Sequence, residues 1–297
     1  MSWIAVSIFG YFLNSVAMLS DKIILRRAVP HPAVFTFYTA GLGAIAILLF
    51  PLAPGVPPLP TLMIALLAGA LFTAALYTLY SLLTHGDVSI VGPVIGSLTP
   101  AWTLLVGELV LQEYLPPLQL FAFFIILAGS VLVAHEHRRF ARADLRIILL
   151  CAFAALLFAL SFVFSKYIYL EGSFLNGFLW RTVGASLAAL VFLIRPATRR
   201  AIVNDLRRAT PATDALFLIG KVCGGLGFVV LNYAFTMGSV ALIQALVGTQ
   251  HIFLLFFIFL VAYRYPHLLA EHLRGRALTR KFVSIVVMSV GIGLLFL

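Results

Sequence analysis

Long apolar windows alternate with short polar or proline-rich segments along almost the whole chain. A helix needs about 20 apolar residues to cross a hydrocarbon core about 30 Å thick, and windows of roughly this length occur ten times. Backbone amides find no water in lipid, so the pattern predicts membrane-spanning helices. The ten predicted spans are residues 3–19, 33–50, 61–83, 88–111, 118–134, 147–169, 174–194, 215–237, 240–262 and 282–297.

Composition places the chain in lipid. Hydrophobic residues make up 63% and charged residues 10% of its 297 residues, against about 45 to 50% apolar and 25% charged in soluble proteins. We therefore predict an all-α, polytopic membrane protein with ten transmembrane helices. The first window follows Met-Ser-Trp without a charged leader, so we expect it to be an uncleaved span. Both cysteines, Cys151 and Cys223, lie in apolar windows, which excludes a disulfide scaffold.

Basic residues are concentrated in alternate loops. Of 20 lysines and arginines, 17 follow predicted spans one, five, seven and nine, so with ten spans they share one face. The positive-inside rule makes that face cytoplasmic, which puts both termini outside the cytoplasm of an inner (plasma) membrane. The charge therefore indicates topology and contact with anionic lipid rather than nucleic acid. These residues are Lys22, Arg26, Arg27, Arg138, Arg139, Arg142, Arg146, Arg195, Arg199, Arg200, Arg207, Arg208, Arg264, Arg274, Arg276, Arg280 and Lys281.

The other three basic residues lie within predicted spans. Arg181 and Lys221 are roughly 10 to 12 Å deep at 1.5 Å per residue, and Lys166 is near a span end, where it can snorkel. A charge at mid-depth costs about 2.5 to 3.5 kcal/mol or more and normally faces an interior cavity. These residues are the strongest functional signal in the sequence.

Two halves of the chain are similar. An offset of 144 brings Lys22 onto Lys166, and an offset of 162 brings Gly129 onto Gly291. Because each half has five helices, an odd number, the halves must insert in opposite orientations, as in many secondary transporters. We predict a first repeat at 1–135, a basic linker at 136–146 and a second repeat at 147–297. An offset of 152 matches Gly86, Val88 and Gly96 with Gly238, Val240 and Gly248.

A spaced motif ends the first half. Pro100 in helix four is followed thirteen residues later by Glu113, then by Gln119, Ala122 and Gly129. In this spacing the chain resembles the ten-helix EamA-type transporters of the drug/metabolite transporter superfamily. It departs from their pattern at Ala122, which replaces a glycine, and at Gln112, where glycine is usual before the glutamate. In the second half Ser284 and Gly291 fit and Lys281 replaces the glutamine, while Arg181 matches an arginine common in the second helix of such repeats.

The resemblance implies a metabolite transporter, with two departures. Family members are usually described with cytoplasmic termini, against the charge bias here. Related small multidrug exporters carry a glutamate eight residues before the helix-one lysine; here Asn14 occupies that position, and Phe158 occupies its counterpart in the second half. Export of cationic drugs by that carboxylate is therefore not expected.

Each candidate site residue has a functional and a structural interpretation. Arg181, next to Trp180, either holds a carboxylate or phosphate or connects helices. Lys221 is either a cavity cation for an anionic substrate or is buried against a carbonyl or a carboxylate such as Glu108. His251, near Gln244, either contacts substrate or protons or bonds between helices. Glu108 either pairs with Lys166 or carries a coupling proton.

Further candidates line the predicted cavity by residue type. Small-molecule sites are mostly apolar with a few polar groups. We therefore expect the cavity to be lined by Asn14, Tyr77, Tyr80, Trp102 and Trp180. In helix four, Pro93 and Pro100 predict an interrupted, kinking helix, whereas the matching positions of helix nine are not prolines.

These observations favour a secondary transporter. We expect alternating access around a midplane cavity, a small anionic or zwitterionic metabolite, lipid contact, no cofactor, no metal and no nucleic acid; oligomeric state stays open. A flippase for a lipid-linked anionic substrate and a non-transporting scaffold remain alternatives. An enzyme is not expected, because the sequence has no HExxH, GxSxG or P-loop motif, and His135 and His137 are only two residues apart.

Overall fold

The computed structural model describes residues 2–25, 31–52, 55–85, 88–134, 145–206, 211–264 and 276–295, and these form helices. The predicted linker 136–146 lies outside the described residues, except for its last two. The helices are α1 Ser2–Leu25, α2 Pro32–Gly41, a 3₁₀ segment Leu42–Leu52, α3 Leu59–His85, α4 Val88–Leu111, α5 Pro117–Ala134, α6 Leu145–Glu171, α7 Phe174–Leu190, a 3₁₀ turn Val191–Leu193, α8 Pro196–Leu206, α9 Pro211–Phe235, α10 Val240–Ala245, α11 Val247–Arg264 and α12 Arg276–Leu294.

Every predicted apolar window coincides with a helix or a pair of consecutive helices. Seven helical stretches are long and apolar enough to cross a membrane, among the described residues, and three shorter apolar ones match windows two, five and ten. Four helices begin on a proline, whose missing N–H costs nothing in a first turn. These are α2, α5, α8 and α9.

The second window is not one α-helix. After ten α-helical residues it continues as eleven residues of 3₁₀ helix, Leu42–Leu52. At 1.5 and 2.0 Å per residue the two parts extend about 37 Å, which is enough to cross the hydrocarbon core.

The helices form two compact units, and each draws on both halves of the sequence. The terminal unit comprises Met1–Ala28, Glu113–Ala141 and Ala215–Leu297, and thus α1, α5 and most of α9 through α12. The central unit comprises Val29–Gln112 and Arg142–Asp214, and thus α2 to α4 and α6 to α8.

Small residues allow close helix contacts in the terminal unit. A Cβ on Gly291 of α12 would lie 2.6 Å from Ile126 of α5, and one on Gly10 of α1 would lie 2.8 Å from Leu231 of α9. The rings of Phe12 and Phe253 join α1 to α11, with their centroids 5.4 Å apart. Such close approach lets dispersion and weak hydrogen bonds hold helices together in lipid.

The central unit is built around α3, which packs against α6 and α7. A Cβ on Gly69 of α3 would collide with the backbone oxygen of Arg181, and one on Gly184 of α7 would collide with the backbone of Leu66. The hydroxyl of Thr73 donates to the carbonyl of Ala185, 3.0 Å away. Backbone proximity of α3 and α7 therefore fixes where Arg181 lies.

Candidate functional site

Arg181 is enclosed by the central unit. It begins the third turn of α7 and is 1% exposed. Its Nε donates to the hydroxyl of Ser165 at 2.8 Å, and its Nη2 donates to the hydroxyl of Ser161 at 3.3 Å, both on α6. Its Cζ lies 4.7 Å from the centroid of the Phe72 ring on α3, in cation–π range. The guanidinium therefore contacts two other helices.

Both serine hydroxyls also have carbonyl acceptors of their own. Ser161 donates to the carbonyl of Ala68 on α3 at 2.7 Å, and Ser165 donates to the carbonyl of Ser161 at 2.6 Å. Each hydroxyl thus accepts from Arg181 while donating onward. This geometry supports the interhelix role for Arg181, and its contact with substrate stays a prediction.

The ninth window is interrupted at Leu246. This residue has φ −67° and ψ −2°, and it separates α10 from α11. The carbonyl of Leu246 accepts from the backbone N–H of Thr249 at 2.9 Å and from the Thr249 hydroxyl at 2.7 Å. A backbone bond to a residue three positions later replaces the four-residue spacing of an α-helix. An interruption within a membrane span requires other partners for the affected carbonyls.

Hydroxyls from two other helices supply those partners. Tyr11 of α1, 2% exposed, donates to the carbonyl of Ile243 at 2.8 Å. Ser130 of α5 donates to the carbonyl of Ala245 at 3.1 Å. The interruption is therefore tied into the terminal unit by side chains more than one hundred residues away in sequence.

Four predicted site residues belong to this unit. Gln244, 8% exposed, lies two residues before the interruption. Half-buried His251, five residues after it, has its Nδ1 3.2 Å from the carbonyl of Val247. On α1 the half-buried amide of Asn14 lies against Gly227 of α9, and half-buried Lys221 is also on α9.

The central unit holds the remaining predicted residues. Ring centroids of Tyr77 and Phe192 are 5.1 Å apart, and those of Tyr80 and Phe35 are 4.7 Å apart. Trp180 donates through Nε1 to the carbonyl of Gly55 at 3.3 Å. Trp102 and Glu108 are half-buried on α4, and Lys166 is 8% exposed on α6, which packs against α4. A pair between Glu108 and Lys166 stays a prediction, as do the cavity roles.

The predicted interruption of helix four is wrong. Despite Pro93 and Pro100, α4 runs without a break from Val88 to Leu111. Membrane helices tolerate proline because surrounding groups can bond the carbonyl that the missing N–H leaves free. The observed interruption is in helix nine, where the sequence has no proline.

The structure adds a helix that the apolar windows missed. Between spans seven and eight, where we expected only a basic loop, α8 runs from Pro196 to Leu206. Several of the predicted basic residues, including Arg26, Arg138 and Arg207, lie outside the described residues. Within the described segments, no three His, Cys, Asp or Glu side chains are grouped as a metal site requires.

Comparison with known proteins places these features in context. A model of the EamA-like transporter family matches residues 1–134 and 145–270, once in each half of the chain. A crystal structure of a protein 20% identical in sequence aligns with a TM-score of 0.70, over 99% of this chain and 97% of that one, which shows a shared fold. No curated protein matches.

Proposed function

Because the chain belongs to the EamA-like transporter family, we propose that it is a secondary transporter for a small anionic or zwitterionic metabolite. The family and the apolar helices make it an integral membrane transporter. Substrate class, alternating access and the site between two inverted repeats are our proposal. A transporter of this family needs no catalytic residues.

Helix packing within each unit supports the inverted repeat. At the offsets found in the sequence, α1 corresponds to α6, α2 to α7, α3 to α9, α4 to α10 and α11, and α5 to α12. In the central unit α6 packs against α3 and α4, and in the terminal unit α1 packs against α9 and α11, their counterparts. Two pairs of helices that are each other's counterparts also pack together, α2 with α7 and α5 with α12. Each unit thus combines the same kinds of helices from opposite halves.

The interruption at Leu246 is the observation that carries the proposed site. Discontinuous membrane helices commonly line transporter binding sites. Here the interruption lies beside buried Gln244 and half-buried His251, in the same unit as Asn14 and Lys221. We propose that this polar group recognises the substrate and that Lys221 binds its anionic part.

Lys221 belongs to the same unit as the interruption at Leu246, whereas Arg181 belongs to the central unit. Lys221 is half-buried, and the apolar span of α9 begins three residues before it, at Leu218. A charge within a membrane span is costly and usually functional. The guanidinium of Arg181 already has two serine hydroxyls and an aromatic ring around it. We therefore propose Lys221 as the principal substrate cation and Arg181 as a positioning residue of the central unit.

A flippase for a lipid-linked anionic substrate is the second candidate. One observation favours it: an open surface groove of about 520 Å³ in the central unit, lined almost wholly by apolar groups of the 3₁₀ segment and α7. Its walls include Leu48, Pro51, Leu179, Trp180 and Val183. A groove of this size and character suits an acyl chain.

A ligand-stabilisation screen tests the proposal. Purified wild type and Lys221→Gln are melted with amino acids, organic acids, nucleobases and phosphates, and Lys281→Gln, at the start of the last predicted span, controls for loss of one lysine charge. We expect an anionic or zwitterionic ligand to raise the melting temperature of wild type and Lys281→Gln but much less that of Lys221→Gln. Equal stabilisation of all three proteins would show that Lys221 does not bind the ligand.

Flux separates the two candidates. In proteoliposomes, uptake of the water-soluble ligand identified in the screen supports the metabolite transporter. Movement of a lipid-linked anion between leaflets, without such uptake, supports the flippase. A reporter fused to the C-terminus tests the proposed orientation in the inner membrane. If a reporter that functions only in the cytoplasm is active in this fusion, the C-terminus is cytoplasmic and the external termini are contradicted.

A further inference from the structure

Helix α8 lies immediately beyond the seventh candidate span. That span is Phe174–Leu193, and α8 begins three residues later at Pro196. Eleven residues extend only about 16 Å as an α-helix, too short to cross a bilayer. The short connection therefore keeps α8 at the boundary between lipid and water.

One face of α8 is fixed to the central unit. Thr198 and Ile202, four residues apart, are 6% and 4% exposed. The hydroxyl of Tyr38 on α2 donates to the backbone carbonyl of Ile202 at 3.0 Å. Since residues four apart share a helix face, this side of α8 faces the protein and the orientation of the helix is set.

Another face carries exposed arginines beside exposed apolar side chains. Arg195, Arg199 and Val203 follow one another at four-residue intervals and all are exposed, as is Arg200. Ile194, just before them, is 76% exposed. Arginine together with exposed apolar groups at the end of a span is typical of helices that lie in the membrane interface.

The position of the arginines within α8 favours an anion. Arg195 precedes the helix, and Arg199 and Arg200 lie in its first turn and a half. Cations near a helix N-terminus are unfavourable to the helix itself, because that end has partial positive charge. The same end attracts phosphate, so an anion bound there interacts with both the arginines and the helix.

We propose that Arg195, Arg199 and Arg200 form a docking surface for the anionic phospholipid headgroups of the surrounding bilayer. A lipid is the occupant that matches both features, since its phosphate complements the arginines while its acyl chains cover Ile194 and Val203. The docking surface lies in the central unit and does not depend on the substrate of the transporter. It narrows the lipid contact expected of the basic loops to one defined surface on and beside α8.

Lipid titration tests the docking surface. Full-length protein in neutral detergent is titrated with phosphatidylglycerol or phosphatidylcholine of identical acyl chains, and bound lipid is followed by melting temperature and native mass spectrometry. The variant neutralises Arg195→Gln, Arg199→Gln and Arg200→Gln together. Its matched control is Arg138→Gln, Arg139→Gln and Arg142→Gln, which removes the same charge from another basic loop.

We expect phosphatidylglycerol to bind wild type and the control with similar affinity. Each arginine near a membrane surface increases the affinity for anionic lipid about fivefold. The α8 variant should therefore bind phosphatidylglycerol about a hundredfold more weakly than wild type at low ionic strength. Equal losses in both triple variants, or equal binding of phosphatidylcholine, would overturn the proposal.

Two further arms keep the test decisive. Glycerol phosphate, added without acyl chains, should not stabilise the protein, and a shift equal to that with phosphatidylglycerol would assign the surface to soluble anions instead. Should the triple variant fail to fold, Arg199→Gln carries the test. About fivefold weaker binding is expected, and unchanged binding refutes the docking surface.

Discussion

Removal of the Ser165 hydroxyl should destabilise the protein more when Arg181 is present than when it is replaced. Ser165→Ala takes the acceptor from Nε of a guanidinium that is 1% exposed. A hydrogen bond to a charged group contributes about 1.5 to 3 kcal/mol, and more when the loss leaves a buried donor unsatisfied. We expect a loss of about 2 kcal/mol, or about 4 to 8 °C in melting temperature.

The same substitution should cost less in an Arg181→Met background. There Ser165 keeps its bond to the carbonyl of Ser161 and its hydrogen bond with Tyr169, and each neutral bond contributes about 0.5 to 1 kcal/mol. The double-mutant cycle should therefore show a coupling energy of about 1 to 2 kcal/mol. Ser97→Ala is the control, because Ser97 likewise donates to a carbonyl of its own helix, that of Val94 at 3.1 Å.

Melting in a mild detergent measures all four proteins of the cycle. If Ser165→Ala lowers the melting temperature equally with Arg181 and with Met at position 181, the two side chains are not coupled and the interhelix role is refuted. Stabilisation by an anionic ligand should survive in Ser165→Ala, since we place substrate binding at Lys221. Loss of that stabilisation would return Arg181 to the binding site.

Three other substitutions test the packing and the helix ends. Gly69→Ala places a Cβ into the backbone of α7 and should cost about 3 kcal/mol or more, whereas Gly107→Ala, with nothing within 4 Å, should be tolerated; equal folded yields would contradict the α3–α7 contact. Tyr11→Phe removes the donor to the carbonyl of Ile243 and should cost about 1 to 3 kcal/mol, with an unchanged melting temperature arguing against the interruption. Gln112 has φ +51°, a left-handed conformation that costs about 1 kcal/mol for a residue other than glycine. Gln112→Gly should therefore raise the melting temperature, and a decrease would show that this turn is not strained.

The Gln112 conformation also shows what sequence reasoning can and cannot recover. The chain departs from the family pattern by placing glutamine where glycine is usual, and the structure puts this residue in a conformation that glycine adopts most easily. The deviation was visible in the sequence, but the conformation was not predicted from it. Hydropathy, by contrast, located all the long helices, because lipid excludes unpaired backbone groups.

Features that depend on distant residues could not be predicted. The interruption at Leu246 needs hydroxyls from Tyr11 and Ser130, and no local pattern connects these residues. Prolines in α4 suggested an interruption, but the helix is continuous there. The surroundings of Arg181 follow from backbone contact between α3 and α7, so its sequence position gave its depth but not its partners. Helix α8 was not predicted because it is short and rich in polar residues, and Thr198 and Ile202 form its buried face.

The mixed origin of the two units constrains synthesis of the protein. Gly10 of α1 packs against Leu231 of α9, more than two hundred residues later in the chain. At about 5 to 20 residues per second, the first helix waits roughly 10 to 40 s before the ribosome delivers this neighbour. Throughout that interval α1 is in the bilayer without its contact to α9. The terminal unit therefore reaches its final arrangement only after translation is nearly finished.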